Sequence, residues 1–240
     1  LTSLASALTA ACCLFTGETE LALVHARKVE ALYDELKDPV HLFSAFCTTA
    51  WALALEGEAD EARRYMAQAE ALGRELGGRV VLFDWCLAGL AEGAAALGDR
   101  ALTERLSEQV LVLALRLDSR LSLGIVERAL GLVKAMHGGA GAEVDEHLAA
   151  SRAAFREGQV RTQEAMTEVA WALVHKQRGD LLVETRFGHA VAQLGRYGCT
   201  RAVSHAEHLW RSGRPRATLS AVARAACVRT GEDCSVQDAS

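Results

Sequence analysis

The sequence predicts an all-α protein built from repeated helix hairpins, and three observations carry that expectation. Half of the 240 residues are hydrophobic but only 5% are aromatic, so the apolar content is mostly small and aliphatic. The chain holds 44 Ala against two Pro, Pro39 and Pro215; Ala is the best helix former and Pro the worst. Finally, Gly followed by an acid recurs with a period near 40 residues, at Gly17-Glu18, Gly57-Glu58, Gly98-Asp99 and Gly179-Asp180. The longer last gap is two periods, and a Gly-rich break, Gly138-Gly139, stands at its midpoint. Gly closes a helix through the left-handed conformation, and an acid suits the start of the next one. Each unit therefore reads as helix, turn, helix. A single hairpin cannot bury both apolar faces, so neighbours are expected to stack into a right-handed α-solenoid, a superhelix of about six antiparallel hairpins.

In chain order, the hairpins are expected at 2–36, 39–76, 79–117, 119–157 and 160–197. The clearest copy runs from Val40 to Leu76. Its second helix steps Ala59, Ala62, Met66, Ala69, Leu72 and Leu76, with Glu61, Arg63, Arg64 and Gln68 between them. That spacing of three and four marks one apolar helical face. In the next copy Leu102, Leu106, Val110, Leu113 and Leu117 repeat the step. Ala50, Ala62, Ala69, Ala91 and Ala172 are small enough to let helices of adjacent hairpins approach closely. A divergent capping pair is expected at 198–229, and the polar residues 230–240 read as a flexible tail.

Charge excludes some classes of partner. The net charge of -5 is mild, 24% of residues are charged, and no long uncharged apolar run exists, so the chain is neither disordered nor membrane-spanning. Basic residues gather only between Arg196 and Arg229, where seven Arg face one acid, Glu207, for a local 7 - 1 = +6. A helix-turn-helix around Arg214 and Arg216 is one reading of this stretch, but its second helix offers no Asn, Gln or Lys to read bases. A solvated face of a capping hairpin is the preferred reading. Seven Cys, an odd number without a C-x-x-C pair, read as reduced and mostly buried thiols in a cytoplasmic protein. The chain begins at Leu1 without Met or a basic leader, which suggests a piece of something longer rather than a secretory signal.

No enzyme signature appears: no phosphate-binding loop, dinucleotide fingerprint, nucleophile elbow or zinc-protease motif. His205 and His208 with Glu207 lack a third metal ligand in the sequence and read as a polar helix surface. No catalytic, cofactor or metal residue is nominated.

The stretch Gly57–Ala69, with Ala50 before it, resembles the second helix of a tetratricopeptide repeat, whose small positions are matched here by Ala50, Gly57, Ala62 and Ala69. Looser copies fall at Ala10, Gly17 and Ala22, at Ala91, Gly98 and Val110, and at Ala172 and Gly179. The period near 40 departs from the family's about 34 residues. It is similar instead to the longer superhelical repeats of large bacterial LuxR-type and maltose-activator-like transcription regulators. The resemblance covers residues 1 to about 197. It implies a non-catalytic sensor or interaction domain, with DNA bound only through a separate module. In such repeats the first helix of each hairpin lines a concave groove. Aligning on each Gly puts Ser44, Cys47 and Trp51 there, then Trp85 and Glu92, Val126 and Met136, and Met166, Val169 and Lys176. A protein partner, a peptide or a small-molecule effector is the expected occupant, and a homo-oligomer is compatible with the pattern. A stand-alone scaffold or adaptor is the alternative, followed by an enzyme whose site the sequence does not reveal or a DNA-binding C-terminal helix pair.

Overall fold

The computed structural model of the chain describes residues 2–78, 80, 82–180 and 183–212, and every regular element within them is an α-helix. Eleven helices follow one another: α1 (Thr2–Thr16), α2 (Thr19–Leu36), α3 (Pro39–Glu56), α4 (Ala59–Glu75), α5 (Phe83–Ala96), α6 (Arg100–Leu117), α7 (Arg120–Met136), α8 (Gly141–Glu157), α9 (Arg161–Gln177), α10 (Val183–Arg196) and α11 (Thr200–Ser212). None of the described helices is long and apolar enough to cross a membrane.

Local chemistry sets the turns. Asp38 accepts hydrogen bonds from the amides of Val40 and His41, with Pro39 at the first helical position, and so starts α3. Gly57 ends the same helix at φ 81°, donating its amide to the carbonyls of Leu53 and Ala54. Asp99 caps α6 through Leu102. Glu18 and Glu58 hold the equivalent places before α2 and α4 without bonding the first-turn amides through their side chains.

Helices adjacent in the chain pack against one another, except that α4 and α5 share little contact, and the odd-numbered helices α1, α3, α5 and α7 also pack in succession. They form an inner layer, while α2, α4, α6 and α8 lie outside it. Composition divides accordingly. α3 and α5 bury Ala on several sides, whereas α4 buries only Ala62, Met66, Ala69 and Gly73. Ala50, Ala62, Ala69, Ala91 and Ala172 are all fully buried at helix contacts. With no side chain beyond Cβ, the layers close to van der Waals distance.

The two ends of the described chain meet. α1 contacts α9, and a Cβ placed on Gly17 in the α1–α2 turn would lie 3.1 Å from Ala202 Cβ on α11. The Arg201 guanidinium holds Glu20 at 2.7 and 2.8 Å. A one-dimensional stack makes contacts only between neighbouring repeats; here the first hairpin also touches the last described helices. The helix-turn-helix around Arg214 and Arg216, the second half of the capping pair, and the tail at 230–240 lie outside the described residues.

Candidate functional site

A pocket of about 400 Å³ opens between α1, α3 and α5. Leu4, Ala7, Leu8, Ala11, Leu14 and Phe15 of α1 form one wall. Val40, His41, Ser44, Cys47, Thr48 and Trp51 of α3 form the second. Leu82, Trp85, Cys86 and Gly89 complete it. No Asp, Glu, Lys or Arg lines this space. Its one imidazole, His41, has Nδ1 2.9 Å from the Asp38 carboxylate.

Aromatic contacts fix the pocket floor. The Phe15 ring stands edge-on to Trp51 at 5.9 Å and to Trp85 at 6.0 Å, the arrangement aromatic quadrupoles favour. Trp51 lies on bare backbone: a Cβ on Gly89 would come within 2.7 Å of the indole Cε3. The Trp51 indole N–H is buried and meets no acceptor among the described residues. Burial pushes the Cys47 thiol well above the ordinary thiol range, and its hydrogen bond with Cys86 adds to the effect. A neutral thiol of that kind is an apolar wall atom, not a nucleophile.

A second interior region, joined to the pocket wall through the Phe15 carbonyl, is polar. Arg128 of α7 donates from Nε and Nη2 to the two carboxylate oxygens of Glu92 on α5 at 2.6 and 3.0 Å. It also donates to the Gln163 side chain at 2.6 Å and to Thr167 at 3.2 Å, both on α9. Gln163 in turn donates from Nε2 to the Phe15 carbonyl at 2.8 Å. Ser151 of α8 donates to the Gly124 carbonyl at 2.7 Å and lies 3.1 Å from the Thr167 hydroxyl. Arg128, Glu92, Gln163 and Thr167 are buried, and the guanidinium stands 5.2 Å from the Phe155 ring centroid. The fork geometry of Arg is what allows five donors to be satisfied at once.

Of the ten groove residues expected from the sequence, Ser44, Cys47, Trp51 and Trp85 come together in the pocket and the other six do not. Glu92 is the buried partner of Arg128 instead of a groove carboxylate. Val126 is sealed in the core between α7 and its neighbours, because the inner helices turn that face inward. Met136 is exposed at the end of α7, with its methyl group next to Gly98. Met166 and Val169 pack in the cluster shared by α9, α10 and α11. Lys176 is also spoken for: its ammonium lies 4.1 Å from the Trp210 ring centroid and donates to the Trp210 carbonyl. The four that meet all lie on α3 and α5, and the other six are held by contacts elsewhere in the fold.

The residues missed by sequence reasoning are the whole α1 wall, together with Val40, His41, Thr48, Leu82, Cys86 and Gly89. The α1 stretch from Thr2 to Thr16 carries no charge, and Leu4 and Leu8 remain 43% exposed beside the buried Ala7, Ala10 and Leu14. A helix apolar on every side has to be covered on every side, and that signal was there to be read. His205 is also corrected. It is largely buried with Nε2 unpartnered among the described residues, not a polar surface group. Burial, then the neighbouring His208 and Arg201, lowers its pKa to about 4. No group of metal-ligating side chains occurs among the described residues. Comparison with family models, curated proteins and solved structures returned no match.

Proposed function

We propose that this chain is a non-catalytic helical-repeat domain that binds an uncharged, largely apolar small molecule between α1, α3 and α5. The observation that carries the reading is a pocket of about 400 Å³ without a single carboxylate, ammonium or guanidinium in its wall. Small-molecule sites span about 300–1,000 Å³ and are mostly apolar. A charged ligand would lose its hydration there without gaining a counter-ion. Burial holds the Cys47 thiol of this wall neutral, which supports binding instead of turnover.

The hairpin series and the tetratricopeptide-like small positions support a wider reading. In it the helices are the right-handed superhelical sensor part of a larger bacterial regulator, with DNA contacted by a separate module. A second reading, a scaffold for a protein partner, draws on Val112, Leu115 and Leu117 of α6, which are 49%, 75% and 63% exposed.

Titration with Nile red, an uncharged dye that brightens in apolar surroundings, tests the first reading. The expected result is saturable blue-shifted emission that decanol displaces and decanoate does not at pH 7.5. Ser44→Leu and Ala11→Phe should abolish the signal. Equal emission from these filled variants would overturn the pocket as the site, and loss of binding on Leu115→Glu would favour the scaffold.

A further inference from the structure

The pocket is tied to the contact between the first and last described helices. Phe15 belongs to both. Its ring closes the pocket against Trp51 and Trp85, while its carbonyl accepts from Gln163 of α9 at 2.8 Å. One turn later, Gly17 packs against Ala202 and Met166. Glu20 then pairs with Arg201, whose other near acid is Glu56 at 4.0 Å. Five residues of chain thus run from the pocket wall to a clasp on α9 and α11. Gln163 is itself fixed by Arg128, so the carbonyl contact is held by a rigid, buried partner.

Resting on the reading of the pocket as a small-molecule site, we infer that its occupancy and this clasp are coupled, so that the ligand favours the clasped form. The vacancy lies between α1 and the α3–α5 surface. An occupant there adds contacts across that gap and holds α1 where its Phe15 carbonyl meets Gln163. Coupling is reciprocal: whatever the ligand adds to the clasp, the clasp adds to ligand affinity. No covalent or charge change is involved, only a choice between two placements of the first hairpin.

Amide hydrogen exchange on the full chain, with decanol as the ligand, tests this. Saturating decanol should slow exchange at residues 16–20 and 199–206 by about fivefold or more, the lower end of typical coupling. Ala202→Phe, which wedges the Gly17 contact without touching the pocket wall, should weaken decanol binding by a similar factor. Should that variant not fold, Arg201→Glu serves in its place, and Arg201→Glu combined with Glu20→Arg should recover affinity. Wild-type affinity in the clasp variants, with exchange unmoved by decanol, would overturn the coupling while leaving the pocket intact. If decanol fails to bind, the pocket reading falls first, and the coupling is then read through Ala11→Phe. That filled pocket should slow exchange at 199–206, and no change there would overturn the coupling on its own.

Discussion

The buried cluster around Arg128 and the pocket beside Trp51 meet at Phe15, whose ring lines the pocket and whose carbonyl accepts from Gln163, and they solve opposite problems. The first fills its space with polar groups and pairs them: Arg128 reaches Glu92, Gln163 and Thr167. The second keeps its wall apolar and leaves its space open. A buried polar cluster is stable only when complete, because each orphaned member costs a desolvation penalty. An apolar vacancy forfeits dispersion contacts but leaves few orphans. The interior of this chain thus joins three helices through charge in one place and keeps an open apolar space in the other.

The largest effect expected is from breaking the polar side. Arg128→Met leaves Glu92 buried without a counter-ion, and loss of one partner of such a pair costs about 3–5 kcal/mol. Urea unfolding should show that loss, and the double change Arg128→Met with Glu92→Leu should return part of it. If the single change proves as mild as the double one, the pair is not the join proposed here.

His205 shows what burial costs when the partners are missing. Its pKa is lowered to about 4 from the ordinary 6.5, with desolvation as the main cause. The folded state therefore resists protonation that the unfolded chain accepts. Stability from this group is whole above pH 6.5 and is lost progressively as pH falls toward 4, by up to about 3 kcal/mol. Measured against wild type from pH 7.5 to 4.5, a His205→Phe variant should show a flatter stability profile. Parallel profiles would mean that His205 is not neutral in the fold.

Gly124 tests packing below the polar cluster. A Cβ there would sit 2.6 Å from the Phe155 ring, the ring that Arg128 overlies. Gly124→Ala should destabilise by about 1–3 kcal/mol through overpacking, despite the better helix propensity of Ala. A gain in melting temperature would show that Phe155 can yield.

How much of this was legible in the sequence follows the same division. The helical class was legible, since it rests on Ala content and on a spacing of three and four that any helix needs. The pocket was half legible: Ser44, Cys47, Trp51 and Trp85 were singled out by position in the repeat, but α1 was treated as an ordinary first copy. Its lack of charge from Thr2 to Thr16 was the available sign that it covers something. The polar cluster was not legible at all. Glu92, Arg128 and Gln163 lie on three helices, and their pairing is a tertiary contact that no spacing within one helix encodes. Lys176 failed for a related reason, because Trp210, its partner, belongs to a helix whose register the repeat does not set.

The smallest energetic effect, and the sharpest on function, is expected at Ser44. This half-buried hydroxyl lines the pocket, and Ser44→Leu would place apolar atoms in the vacancy. If the space is a packing defect, filling it should stabilise, as cavity filling commonly does by about 0.5–2 kcal/mol. If it is kept open for a ligand, the same gain in unfolding free energy should come with loss of Nile red binding. Stability is then what the chain forgoes for the site. Unfolding and titration on the one variant separate the cases. Gain with binding retained marks an incidental void, and gain with binding lost marks a pocket. A net loss of stability means that the apolar wall is already as full as α1, α3 and α5 allow.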